Sequence, residues 1–124
     1  MYMVKNISPH VNIYKFPVTA VSSILTRLSG LYLSGAFVVG GISQIYGKEK
    51  IEKCYNSLST NQKTVFHYSL ILPANYHTLG GIRHFIWDKY PHLLTNPRVA
   101  ASSYALFGMT LGTSILVDYF MLKT

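Results

Sequence analysis

The chain has 124 residues, of which 49% are hydrophobic and 12% charged, with a formal net charge of +7. That length makes one domain at most, here taken as residues 1–124. A charged share about half that of soluble proteins excludes an ordinary water-soluble domain and favours apolar runs that cross a bilayer. The lysines and arginines sit singly at the edges of apolar segments, not along one stripe, so the positive charge points to lipid headgroups and not to nucleic acid.

Residues 1–17, with Pro9 and Pro17, read as an irregular lead-in, and Pro17 suits the first turn of a helix, where its missing N–H costs nothing. Met1 to His10 has neither a signal-type apolar core nor an arginine-rich amphipathic pattern. This leaves open a removed presequence or synthesis in the compartment of use. A first membrane helix is predicted at about 20–46, where Gly30, Gly35, Gly40 and Gly41 with Ser29 and Ser34 provide small faces for close helix approach. Residues 47–63, holding Lys48, Glu49, Lys50, Glu52, Lys53 and Lys63, read as a solvated connection with room for one helical turn. Cys54, the only cysteine, is expected there on an exposed loop and excludes an internal disulfide.

A second span is predicted at about 64–87. It carries His67, Asn75, His77, Arg83 and His84, a polar load that belongs inside a bundle and not against lipid. Pro73 removes one backbone hydrogen bond and is expected to bend it. After a short loop at 88–98, the third span is predicted at about 99–122, with Asp118 reaching the membrane interface. The fold class is therefore all-α, a transmembrane bundle of three helices. Flanking lysines and arginines number four on one side (Lys5, Lys15, Lys89, Arg98) against five on the other (Lys48, Lys50, Lys53, Lys63, Lys123), which does not decide the orientation.

Two polar groups stand out. Ser23 and Arg27 are four residues apart at the start of the first span, hence neighbours on one face, and together can donate to a carbonyl oxygen or an anion. The bland alternative is an arginine snorkelling to headgroups and a serine bonded back to its own helix. The second group is His77-Thr-Leu-Gly-Gly-Ile-Arg-His-Phe-Ile-Trp-Asp88. His77 and His84 lie two turns apart on one face with Gly81 between them, a face suited to a flat cofactor edge-on. Neutral imidazole is the usual protein ligand of haem iron, and one chain need supply only one of two axial histidines. His77, deeper and next to the bend, suits the iron. Arg83 and His84, nearer water, suit propionates. The alternative is a core histidine hydrogen-bonded to a neighbouring helix. His10, His67 and His92 read as structural or solvated.

Two stretches resemble one family. Ser8-Pro9-His10-Val11-Asn12-Ile13-Tyr14, followed by Ser23-Ile24-Leu25-Thr26-Arg27-Leu28-Ser29-Gly30, is similar to the opening signature of the cytochrome b large membrane-anchor subunit of succinate dehydrogenase, respiratory complex II. That signature runs approximately SPH-x-x-IY, then S-I-x-H-R-x-[ST]-G. His77 to Asp88 resembles the second signature, H-x-x-x-G-x-R-H-x-x-x-D. The resemblance covers nearly the whole chain. It implies a b haem shared with a small membrane-anchor subunit, His77 as one axial ligand, and Arg27, Gly81, Arg83 and His84 about the propionates and pocket. It also implies ubiquinone at Ser23 and Arg27, iron–sulfur and flavoprotein subunits as further partners, and the mitochondrial inner membrane (or a bacterial one) with the N terminus on the matrix or cytoplasmic side. Succinate is oxidised on another subunit. Thr26 stands where the family usually has a histidine that assists a propionate, which implies a weaker grip there. A quinol:fumarate reductase anchor and a structural anchor without haem are the rival expectations.

Overall fold

The protein is described here by a computed structural model covering residues 15–123, in which the chain forms four α-helices. These are α1 (Val18–Tyr46), α2 (Lys48–Ser57), α3 (Thr60–Lys89) and α4 (Asn96–Lys123), with a 3-10 turn at Pro91–Leu93. The stretch Ser8 to Tyr14, with His10 and most of the expected lead-in, lies outside the described residues. The all-helical class expected from the sequence is observed, and the three long helices match the three predicted segments to within a few residues.

Local chemistry explains the boundaries. Pro17 is extended (φ −75, ψ 150), and its carbonyl accepts from Ala20 and Val21 at 3.0 and 3.2 Å, so α1 begins directly after it. α1 ends where the Gly47 N–H closes onto the Ser43 carbonyl at 2.9 Å. α3 opens with a capping box: the Ser59 hydroxyl accepts from the Gln62 N–H at 3.4 Å, and the Ser59 N–H donates to Gln62 Oε1 at 3.0 Å. α3 then runs without a break through Pro73 to Lys89.

The connection at 47–63 is more ordered than its composition suggested. α2 takes up ten of its residues, and Cys54 sits on that helix, exposed, and not on a loop. Tyr55 of α2 is anchored to α3 through its hydroxyl and His67 Nε2, 2.8 Å apart. This contact turns a polar, lysine-rich stretch into a docked helix.

α3 is the central helix, packed on α1 along one side and α4 along the other, while α1 and α4 touch less. The interior is polar. Among the described residues Ser22, Thr26, Ser29, Arg83, Ser103, Thr110, Ser114 and Asp118 are buried, joined by two apolar side chains, Tyr76 and Leu106. The outer surface is apolar, with Phe37, Ile45 and Phe85 at 78%, 75% and 79% exposure. A water-soluble fold buries the opposite set. Small hydroxyl residues between helices and large apolar ones outside are the arrangement a lipid solvent requires, since lipid gives helices no hydrophobic reason to pack and close approach must be supplied by small side chains.

α1 and the Asn96–Met121 part of α4 are long and apolar enough to cross a membrane; α3, predicted as a span, is long enough but falls short in hydropathy. Its polar residues are the reason, and several turn inward. Asn75 donates to the Ser114 hydroxyl at 3.0 Å, and Tyr68 lies within electrostatic reach of Asp118 of α4. Asp118, expected near the membrane interface, is turned into the bundle. It is buried at 6% exposure, and its Oδ1 has no partner among the described residues.

Candidate functional site: a histidine held on the valley between α1 and α3

The stretch His77 to Asp88 divides by helical periodicity. Tyr76, Gly80 and Arg83 form the buried face of α3. His77, Gly81 and His84 form the adjacent stripe, with both histidines exposed and Gly81 half-buried. The expected sharing of one face by His77, Gly81 and His84 is thus observed. Arg83, which was expected beside His84, is one residue away in sequence but on the inner side.

Arg83 ties three helices together. One terminal nitrogen donates to the Ser103 hydroxyl of α4 at 3.0 Å and the other to the Ser22 hydroxyl of α1 at 3.3 Å. Ser22 and Ser103 are themselves 2.9 Å apart, and the Tyr76 hydroxyl donates to the Ser22 carbonyl at 3.1 Å. The guanidinium lies over the Trp87 ring, 4.5 Å from its centre. Its Nε is buried without a partner among the described residues.

On α1 the same division holds. Ser22, Thr26 and Ser29 are buried, while Ser23, Arg27 and Gly30, at spacings of four and three, form the neighbouring stripe. Most α1 hydroxyls bond back to their own helix: Ser22 to Thr19, Thr26 to Ser22, Ser29 to Thr26, Ser34 to Gly30. Ser23 does not, and neither it nor Arg27 has a hydrogen-bond partner among the described residues. Ser23 is half-buried and Arg27 exposed, so among the described residues neither donor is committed.

The two stripes meet at Gly30 and His77. His77 Nδ1 lies 2.9 Å from the Thr26 carbonyl oxygen and 3.5 Å from the Ser29 hydroxyl. A carbonyl only accepts, so Nδ1 carries the proton and Nε2 keeps its lone pair. Nε2 has no partner among the described residues. The alternative of a core histidine bonded to a neighbouring helix is therefore half met: one nitrogen is used in that way and the other is left as a potential ligand. Thr26 points its side chain elsewhere. It is buried against α3, and a Cβ on Gly80 would come within 3.0 Å of its Cγ2 and Oγ1. The residue at this position acts on packing through its side chain and on His77 through its backbone.

Beyond His77 toward the loop, Gly81, His84, Phe85, Trp87 and Asp88 border a recess of about 680 Å³ with Pro91 and Leu94. His84 stands edge-on to Trp87, ring centres 5.3 Å apart. In the other direction the valley between α1 and α3 continues into a recess of about 310 Å³ floored by small residues, among them Ala36, Gly40, Gly41 and Ala74. Among the described residues nothing lies within 4 Å of where a Gly81 Cβ would be. Among the described residues no three His, Cys, Asp or Glu side chains converge on a common point. The donor set is a single imidazole with an open face beside it, which fits an iron held mainly by a macrocycle and not an ion caged by side chains.

Residues 1–117 match the family model described as succinate dehydrogenase/fumarate reductase transmembrane subunit. The chain belongs to this family. Its similar relatives are named succinate dehydrogenase cytochrome b560 subunit. The mitochondrial one of Dictyostelium discoideum is 31% identical over 121 residues, covering 94% of this chain and 62% of that protein. That of Sus scrofa is 29% identical over 114 residues, covering 88% and 67%, and that of Reclinomonas americana 29% over 111 residues, covering 83% and 76%. The chain thus spans a little over three fifths of the Dictyostelium protein. The polar residues of the 77–88 stretch are divided between two sides of α3, with His77 and His84 outside and Arg83 inside.

Proposed function

We propose that this chain is the cytochrome b membrane anchor of a succinate:ubiquinone oxidoreductase, spanning the mitochondrial inner membrane or its bacterial counterpart three times through α1, α3 and α4. Its N terminus lies on the matrix or cytoplasmic side. It pairs with a small membrane-anchor subunit and seats the iron–sulfur and flavoprotein subunits, on the last of which succinate is oxidised. The polar α3 is carried through the bilayer because its buried face is satisfied by α1 and α4.

The observation that carries this reading is His77, with Nδ1 committed to a backbone carbonyl and Nε2 free on an open valley. That is the state an axial ligand needs before it binds iron. A b haem held there, with its second axial histidine from the small anchor, would supply a one-electron store beside the quinone. Gly81 leaves space on the stripe for the macrocycle edge. His84 and Arg27, at the end where α1 starts and α3 finishes, are the cations that would meet its propionates. Arg83, on the inner side of α3, would lend that end of the pocket positive charge.

Ser23 and Arg27 serve the quinone. Their free donors, one turn apart, hydrogen-bond a quinone carbonyl and stabilise the negative charge that builds on that oxygen during reduction. Arg27→Ala is expected to lower succinate-driven quinone reduction about ten- to a hundredfold, the value of a lost charged hydrogen bond, while succinate oxidation with a water-soluble artificial acceptor stays intact. Equal rates with both acceptors in the variant and the parent would remove Arg27 from the quinone site. The family description also covers fumarate reductases. These residues polarise a carbonyl equally in either direction of the reaction.

A further inference from the structure

We infer that Gly30, with the Thr26 carbonyl, is a positioning device that sets the orientation and the electron-donating strength of the His77 imidazole. This inference rests on the reading of His77 as an axial haem ligand. Three observations carry it. A Cβ on Gly30 would lie 2.6 Å from His77 Cε1, 3.0 Å from Nδ1 and 3.4 Å from Nε2, so the ring lies against bare α1 backbone and no side chain fits there without displacing it. Gly35, Gly40, Gly41 and Gly81 have nothing within 4 Å of the same position. The contact is therefore particular to Gly30 and not a general feature of a glycine-rich helix.

The hydrogen bond supplies the direction. With the ring pressed onto Gly30, Nδ1–H reaches the Thr26 carbonyl at 2.9 Å, an oxygen that also accepts the Ser29 hydroxyl at 2.8 Å and faces α3 at the close crossing. The crossing is close because Thr26 packs over Gly80, where an added Cβ would come within 3.0 Å of it, and Tyr76 reaches the Ser22 carbonyl at 3.1 Å. A hydrogen bond from Nδ1–H to an oxygen gives the imidazole partial imidazolate character and makes Nε2 a stronger donor. A stronger donor stabilises ferric over ferrous iron and lowers the potential. Ser29, at 3.5 Å, is too distant to share this task. The Thr26 side chain sets the crossing by packing on Gly80, while the bond to His77 comes from its backbone and does not need a histidine at that position.

The test uses the whole complex with Gly30→Ala, with Gly35→Ala as the comparison, since both gain the same methyl on the same helix. Because the clashing atom is the far end of a side chain, the helices need not move and His77 swings instead. Gly30→Ala is expected to shift the haem midpoint potential upward and to change the highest g value of the oxidised low-spin haem, which reports axial ring orientation, or to lose the haem from an assembled complex. Gly35→Ala leaves all three unchanged. An unchanged or lowered potential with an unchanged g value in Gly30→Ala overturns the device. Should Gly30→Ala fail to assemble, the redox-difference infrared spectrum of the parent complex with labelled histidine decides: a hydrogen-bonded Nδ1–H signature supports the device and a free one overturns it. A parent complex without b haem, or a His77→Ala complex whose haem spectrum is unaltered, overturns the ligand reading itself and is told apart from failure of the device by those two controls.

Discussion

His77 and Arg83 are both ionisable groups in an apolar helix, and their surroundings give them opposite tasks. His77 has one committed nitrogen and one free, so it can bind. Arg83 has its terminal nitrogens committed to Ser22 and Ser103 and its face to Trp87, so it holds α1, α3 and α4 together. His77→Ala is expected to abolish the b-type absorption bands of the purified complex while the subunits remain assembled, a result read by optical spectroscopy and gel filtration. Ser103→Ala removes an acceptor from a buried cation and is expected to lower stability by about 1–3 kcal/mol. Ser102→Ala, which removes only a bond from a half-buried hydroxyl to its own helix at 2.9 Å, should cost far less. Denaturation midpoints of the two variants in the same detergent make the comparison, and equal midpoints would argue against the three-helix tie.

At the level of elements, the adjoining glycines of α3 do different things. Gly80 faces Thr26 at the α1 crossing, and Gly81 faces open space. Gly80→Ala requires Thr26 to give by a few tenths of an ångström at the α1 crossing, and the expected cost is about 1 kcal/mol for overpacking. It is expected to reduce the yield of assembled, haem-containing complex. Gly81→Ala meets nothing among the described residues, and the conflict expected of it is with whatever occupies the stripe between His77 and His84. Loss or perturbation of the haem in Gly81→Ala, with the chain as stable as the parent, is the expected outcome; normal haem content and spectrum would move the macrocycle off that stripe. α2 shows how tertiary contact overrides composition. Its lysines and glutamates read as solvated connection, yet docking through Tyr55 and His67 fixes a helix of ten residues.

For the whole molecule, the apolar exterior and hydroxyl-lined interior have a topological consequence. With α1, α3 and α4 as spans, α2 and the Pro91–Leu93 turn lie on opposite sides of the bilayer. Cys54 is the only cysteine and is exposed on α2. A membrane-impermeant maleimide is expected to label it from the side away from the succinate-oxidising subunits, for which mitoplasts and inverted vesicles are the two preparations to compare. Labelling from the same side would remove α3 as a span.

The helical class, three long segments and the shared faces Ser23–Arg27 and His77–Gly81–His84 were all legible in the chain, because spacing along a helix sets angular relations between its own residues. The resemblance in two separated motifs was legible for the same reason, being a matter of residue order. Spacing does not say how a helix is rotated against its neighbours. His84 and Arg83 are about 100° apart on the axis, and only the packing of α1 and α4 on either side of α3 turned Arg83 inward and left His84 outside. The same rotation brought Asp118 under Tyr68 and not to the interface, and put the Thr26 carbonyl and Gly30 against His77. A histidine's free nitrogen depends on what its other nitrogen meets, and that partner lies 51 residues away on another helix.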